Sequence, residues 1–338
     1  MSKKRLVVGT RSSQLALWQA DFVIGELEKR YPDLEIEKRL MTTKGDKILN
    51  APLAKIGGKG LFTKELENAM LAGEIDIAVH SLKDMPVAVP EGLVITAVTK
   101  RADAGDALVS DRYESFEALP EGAKVGTSSL RRRAQLLHAR PDLQITDLRG
   151  NVNTRLRKLE EEHFDGIILA CAGLKRLGFG GRIRQVLPKS LCLPAVGQGA
   201  LAIECREDDE ETRSLLAFLD DDVTRACTAA ERGFLATVEG GCQVPVGVYA
   251  RPVDGLPLEA QQADGMPADG GEPVQAVSDG RSGAIRVEAV IASLDGRTLF
   301  RDSAAGPAEE AEALGISLAN KLLDMGGRDI LRSLGIEL

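Results

Sequence analysis

The feature that most constrains this chain is an alternation of strand and helix that occurs twice in succession. In the first pass, Arg5 to Gly9 reads as a strand, and Thr10-Arg11-Ser12-Ser13 supplies hydroxyls that cap a helix running to about Arg30. Leu15, Trp18, Phe22 and Leu27 are expected on the apolar face of that helix. Leu34 to Leu40 alternates and reads as a second strand, and a helix is expected from about Phe62 to Ala72. Ile75-Asp-Ile-Ala-Val79 is a β-branched run that ends in His80-Ser-Leu-Lys-Asp84. Met85-Pro86 closes it, because a residue before proline is pushed out of helical geometry. Leu93 to Val98 is the next strand.

The second pass has the same order. Lys124-Val-Gly126 ends a strand, and Thr127-Ser128-Ser129 caps a helix that begins Leu130-Arg131-Arg132-Arg133. A strand over Leu143 to Leu148, a helix over Val152 to Glu162 and a strand over Gly166 to Ala170 follow. This alternation predicts two α/β lobes with mainly parallel sheets. In such sheets ligands bind at the carboxyl ends of strands, which is where Lys83 and Asp84 stand. A third unit begins near Asp222, with a helix to about Val238, the loop Glu239-Gly-Gly-Cys-Gln243 and a strand to Ala250. A hairpin through Leu294-Asp-Gly296 and a helix over Glu309 to Leu323 complete it. Residues 251–283 are rich in Gly, Pro, Asp and Ala and read as an exposed insertion.

Charge narrows the function. Nine Lys/Arg against two acids, Asp142 and Asp147, crowd into residues 124–158 of a chain whose net charge is -8. That total argues against a general nucleic-acid or membrane partner, and an aromatic content of 4% is too low for a base-stacking platform. Arg133 and Arg140 read as a solvated face. Arg131 and Arg132 stand in the first turn of a helix, where the dipole disfavours a cation by about 0.3–1 kcal/mol. Paired guanidinium forks at a helix start suit a carboxylate or a phosphate. With Arg11, Ser13, Lys55, Lys59, Lys83, Arg149 and Arg155 they describe a basic cleft. No GxxxxGK[ST] occurs, and no GxGxxG follows a strand, so a small polycarboxylate is the expected ligand.

The five cysteines (171, 192, 205, 227, 242) lack CxxC spacing, and with three histidines neither a disulfide framework nor a zinc site is expected. No apolar run is long enough for a membrane span or signal peptide, so the expected setting is the cytoplasm. Cys171 and Cys205 sit in or beside apolar runs and read as packing. Cys242, flanked by glycines, is open to either a reactive or an inert reading.

Seven segments, taken together, resemble the porphobilinogen deaminase (hydroxymethylbilane synthase) family. They are Gly9-Thr-Arg-Ser-Ser-Gln-Leu-Ala-Leu-Trp-Gln19, Gly58-Lys-Gly-Leu-Phe-Thr-Lys-Glu65, Ala78-Val-His-Ser-Leu-Lys-Asp-Met-Pro86, Gly126-Thr-Ser-Ser-Leu-Arg-Arg132, Asp147-Leu-Arg-Gly-Asn-Val-Asn-Thr-Arg155, Pro194-Ala-Val-Gly-Gln-Gly-Ala200 and Glu239-Gly-Gly-Cys-Gln-Val-Pro245. The resemblance implies two periplasmic-binding-protein-like α/β lobes and a smaller C-terminal α+β domain. The implied boundaries are 1–99 with 200–217, 105–195, and 222–338. It implies a transferase that joins four porphobilinogen molecules into hydroxymethylbilane with release of ammonia. A dipyrromethane cofactor would be held covalently by Cys242, and the family is usually monomeric. Asp84 is the implied catalytic acid. Lys83, Ser13, Thr127, Ser129, Arg131, Arg132, Arg149, Gly150 and Arg155 are implied to hold the cofactor. Arg11, Ser13, Gln19, Lys55, Lys59, Phe62, Arg149, Arg155, Arg176 and Gln198 are implied to meet substrate. No metal is implied. The competing reading is a two-lobed protein that binds a polycarboxylate without catalysis.

Overall fold

The computed structural model describes residues 3–43, 45, 60–238, 244–253 and 283–336. In chain order the strands are β1 (Arg5–Arg11), β2 (Glu35–Met41), β3 (Ile77–Ser81), β4 (Leu93–Val98), β5 (Asp106–Val109), β6 (Lys124–Gly126), β7 (Gln144–Thr146), β8 (Gly166–Ala170), β9 (Ile183–Val186), β10 (Leu201–Arg206), β11 (Val246–Val253), β12 (Ala284–Ala292) and β13 (Leu299–Pro307). The helices are α1 (Gln14–Arg30), α2 (Lys64–Leu71), α3 (Leu130–Ala139), α4 (Val152–Glu161), α5 (Cys171–Arg176), α6 (Glu210–Leu216), α7 (Asp222–Thr237), α8 (Ala311–Leu322) and α9 (Arg328–Ser333).

The strands form three sheets, ordered β2-β1-β3-β10-β4, β7-β6-β8-β5-β9 and β11-β12-β13. Sheets one and two share a plan. In the first, β1 is parallel to β2 and β3, while β10 is antiparallel to β3 and β4. In the second, β6 is parallel to β7 and β8, while β5 is antiparallel to β8 and β9. The expectation of mainly parallel sheets holds: in each, four of the five strands run one way and a single strand, β10 or β5, runs the other. The reversed strand is set by the crossing of the chain between lobes. β5 and β10 are the first strands after each crossing, and each enters its sheet from the cleft. Asp106 pairs with Ala170 at the carboxyl end of β8, and Leu201 pairs with Ser81 at the carboxyl end of β3. A strand that starts at its neighbour's finish must run the other way.

α1 also differs from expectation. Its core-facing residues are Ala16, Ala20, Val23 and Leu27, whereas Phe22 is 38% exposed. Small side chains let the helix lie close on the sheet. Trp18 stacks on Phe22 with ring centroids 5.6 Å apart, and the Arg176 guanidinium lies 5.4 Å from the Trp18 ring. The larger residues therefore turn toward the second lobe.

The three units are tied together by Glu231 of α7, which is fully buried. It takes a two-pronged ion pair from Arg101, at 2.5 and 3.2 Å. It also accepts from the backbone N–H of Gly197 at 2.7 Å and of Ala250 at 2.8 Å. One carboxylate thus pins the outgoing crossing, the return segment and the third sheet. Residues 254–282 of the expected insertion lie outside the described residues. Residues 251–253, expected to open it, instead finish β11, where they pair with β12 as far as Val253 with Ala284.

α7 and α8 cross at glycines, and α7 ends just before the Gly-Gly-Cys loop. A Cβ on Gly233 would lie 2.6 Å from the Glu312 carbonyl oxygen, and one on Gly315 would overlap the Ala230 carbonyl. Gly315→Ala is expected to lower stability by about 1–3 kcal/mol, as overpacking does. Urea unfolding checks this, and an unchanged midpoint would mean that the helices can move apart without cost.

Candidate functional site

β3 runs to Ser81 and passes into a single 3₁₀ turn, Leu82–Asp84. Leu82 is 1% exposed and anchors the turn, its N–H donating to the Ala200 carbonyl at 3.0 Å. With Leu82 held inward, Lys83 is half-buried and Asp84 is exposed. Asp84 borders a cavity of about 60 Å³ together with Arg11, Ser13, Gln19, Phe62, Thr63, His80 and Ser81. The Arg11 guanidinium stacks 4.3 Å from the centre of the Phe62 ring. Gln19 Nε2 donates to Ser81 Oγ at 2.8 Å, and Ser13 Oγ caps α1 by accepting from the Ala16 N–H.

Lys83 leads toward the other lobe. Its Nζ lies 3.4 Å from Gln198 Oε1, and Gln198 Nε2 donates to the Ala104 carbonyl at 2.7 Å and to Asp106 Oδ1 at 3.0 Å. Burial lowers the Lys83 ammonium to about 8, opposed by the charge of Asp84 and reinforced by Arg132.

Asp106 is the centre of this region. Arg131 Nη1 donates to its Oδ2 at 2.6 Å and to the Leu193 carbonyl at 2.6 Å. Arg132 reaches Oδ1 through Nε at 3.0 Å and Nη2 at 2.6 Å, and donates through Nη1 to the Ile168 carbonyl. Burial alone would raise the Asp106 carboxyl. The Arg131 and Arg132 guanidiniums overcome it and hold it far below the usual carboxylate range. Both forks are thus turned onto an internal carboxylate. The physical reason is that β5 starts beside the first turn of α3, so Asp106 supplies the anion for which that helix start is built.

Two further cations, Arg149 and Arg155, follow β7. Arg149 makes no hydrogen bond or ion pair among the described residues. Arg155 Nε donates to the Gly150 carbonyl at 2.8 Å, and the positive φ of Gly150 allows that turn. Burial lowers Arg155 to about 10, with the charges of Arg132 and Arg149 adding and Asp84 opposing. Asp84 of the first lobe thus acts electrostatically on Arg155 of the second. Thr127 Oγ1 accepts from the Ser129 N–H at 3.2 Å, and Ser129 Oγ caps α3. Arg176, also lowered to about 10 by burial, donates to the Gly199 carbonyl at 2.7 Å at the lobe junction. Lys55, Lys59 and Cys242 lie outside the described residues. Cys171 and Cys205 are buried, and burial pushes their thiols up to about 12 and about 11.

Asp106, Glu67 and Glu204 were not singled out in the sequence. Asp106 and Glu204 do leave a signal there, a lone carboxylate in an apolar strand: Asp-Ala-Leu-Val and Leu-Ala-Ile-Glu-Cys. His80 stands in the quoted motif without a role; its Nε2 is 3.2 Å from Glu204 Oε2.

Several cations held close enough to depress one another, two of them with uncommitted guanidinium donors, suit a ligand carrying several carboxylates.

Comparison with known proteins identifies the family. Residues 6–214 match the family model described as porphobilinogen deaminase, dipyromethane cofactor binding domain. Residues 225–260 match the porphobilinogen deaminase C-terminal domain. The porphobilinogen deaminase of Geotalea uraniireducens is 50% identical over 331 residues, covering 98% of this chain and 95% of its own length. That of Desulforamulus reducens is 49% identical over 329 residues, covering 97% of each. A solved nutrient binding protein from Burkholderia cenocepacia, bound to methionine, overlaps 63% of this chain and 91% of its own, at 14% identity and a TM-score of 0.41.

Asp106→Asn is expected to strand two buried guanidiniums and to cost about 3–5 kcal/mol in urea unfolding. A depressed carboxyl stabilises fully above its unfolded pKa, roughly 3.9, and loses that contribution only as pH falls through the folded value. The stability gap to the parent should therefore be flat between pH 5 and 8. A gap that changes across that window would mean that the carboxylate titrates there.

Proposed function

The chain belongs to the porphobilinogen deaminase family, and from that premise we propose that Asp84 handles the proton and the cation of the reaction while the cleft arginines hold carboxylates. The enzyme is a transferase of tetrapyrrole biosynthesis that joins four porphobilinogen molecules head to tail, with dipyrromethane as its cofactor. The observation that carries the residue assignment is the placing of Asp84: an exposed carboxylate on a small cavity, with Lys83 beside it and Arg155 within its field.

Each ring of substrate carries an acetate and a propionate. Arg149 and Arg155 have donors to pair with them, Arg11 and Ser13 line the cavity of Asp84, and Lys83 and Ser129 add donors at the end of β3 and the start of α3. Arg131 and Arg132, locked on Asp106, keep the cleft positive. These residues fit a cofactor with four carboxylates, and Lys83, Ser129, Arg149 and Arg155 would hold it. When bound, that group supplies the nucleophilic pyrrole carbon on which the chain is built. Asp84 donates a proton to the departing amine, then faces the cationic methylene-pyrrole as a carboxylate. Phe62 covers the cavity and Gln19 fixes Ser81 beside it. Cys242, outside the described residues, is the attachment site that the loop Gly-Gly-Cys supports.

The same reading takes 1–99 with 200–217, 105–195 and 222–338 as the domains, which accords with the three sheets. It places a monomer in the cytoplasm without a nucleic-acid partner, supported by the net charge of -8 and by four buried free thiols among the described residues.

Asp84→Asn should fold normally and retain the cofactor mass while kcat falls about 10²–10⁴-fold, the range for losing a general acid. Near-parental turnover would remove Asp84 from the role. Cys242→Ser should lack the covalent adduct by intact mass; two extra pyrroles on that variant would place the attachment elsewhere.

A further inference from the structure

Beneath the cavity lies a polar set to which the assignments above give no task. His80 on β3 is 6% exposed, and its ring borders the cavity that holds Asp84. Its Nε2 is 3.2 Å from Glu204 Oε2 on β10, but outside hydrogen-bond geometry. Glu204 is fully buried, and neither carboxylate oxygen has a hydrogen-bond partner among the described residues. Glu67 of α2 is 6% exposed and within the field of both. Burial pushes its carboxyl up and the Glu204 charge adds to that, while the Thr63 hydroxyl, His80 and Lys64 oppose it. Thr63, just before α2, is buried and lines the same cavity. An unsatisfied buried polar atom is destabilising, and a group of them in a native fold calls for a function.

The reaction has a need that matches. In each round the C–N bond breaks with its electron pair leaving on nitrogen, which departs as ammonia carrying a proton from Asp84. The attacking ring, substrate-derived in every round after the first, forms the new C–C bond from its α-carbon. That carbon then loses its own proton. One proton must be restored to the Asp84 carboxylate before the next round, and the proton lost by the α-carbon closes that balance with nothing else consumed.

We propose that His80 carries this proton. Its imidazole accepts the α-carbon proton across the cavity, Glu204 and Glu67 stabilise the imidazolium, and the imidazolium passes the proton to Asp84 and returns to neutral. The inference rests on the reading of Asp84 as the general acid. Two carboxylates behind one imidazole offer the ring a counter-charge while it carries the proton.

The test is rapid-quench measurement of ammonia release by the purified holoenzyme. His80→Gln keeps the size of the side chain but cannot carry a proton. It should release the first ammonia per site at the parental rate and slow each later round at least tenfold. Glu204→Gln should give the same pattern with the imidazole retained, which covers the case of a His80 variant that does not fold. Parental rates in every round, or an equal slowing of the first and later rounds, would overturn the relay. Asp84→Asn should slow the first release itself; if it does not, the general-acid reading fails independently of His80. A readout without turnover is available, because the chain has three histidines. The ring-nitrogen NMR signal missing from His80→Gln should move in Glu204→Gln, and an unmoved signal would show that the two groups share no proton.

Discussion

A buried carboxylate opposed by two guanidiniums underlies the arrangement of the cleft. Asp106 begins the strand that carries the chain into the second lobe, and Arg131 and Arg132 meet it from the first turn of α3. Neither helix start nor carboxylate would be stable there alone. Each guanidinium offsets the desolvation of the carboxylate, and the carboxylate offsets the unfavourable end of the helix dipole. Gln198 then connects this centre to Lys83 of the first lobe. The positive field of the cleft is thus fixed by internal pairing before any ligand is considered. Arg149 and Arg155 are left to meet one.

The same economy of parts governs the joints. Glu231 is a shared acceptor for Arg101, Gly197 and Ala250, which belong to three stretches of chain far apart in sequence. Asp84 stands on the first lobe and feels Arg155 of the second. Small changes in how the lobes meet would therefore alter the charge around Asp84 directly.

The sequence made some of this legible and hid the rest for physical reasons. The caps Ser13 and Ser129, and the strands around Lys124 and Gly166, follow from local chemistry and stand where expected. β5 and β9 are four residues each, too short to show a period, and they went unread. The antiparallel sense of β5 and β10 depends on where the chain crosses between lobes, which no local pattern encodes. On α1 the large apolar residues suggested the core face, but alanines took it because they allow close approach to the sheet. The cleft was visible as an excess of cations. That two of those cations serve Asp106 was not, because the pairing joins residues 25 and 26 positions apart. Glu204 is a similar case: a carboxylate in an apolar strand signals a partner without naming it.

The hairpin of β11 and β12 has a consequence for tolerance to change. Its last register pair is Val253 with Ala284, so the intervening chain leaves and re-enters the sheet at adjacent points. Loop closure costs only about 0.6 kcal/mol for each doubling of length. A segment spliced between those two residues therefore alters neither the pairing nor the core behind it. The position is a natural graft point, where sequence can be gained, shortened or exchanged for a reporter while the scaffold around the cleft keeps its shape.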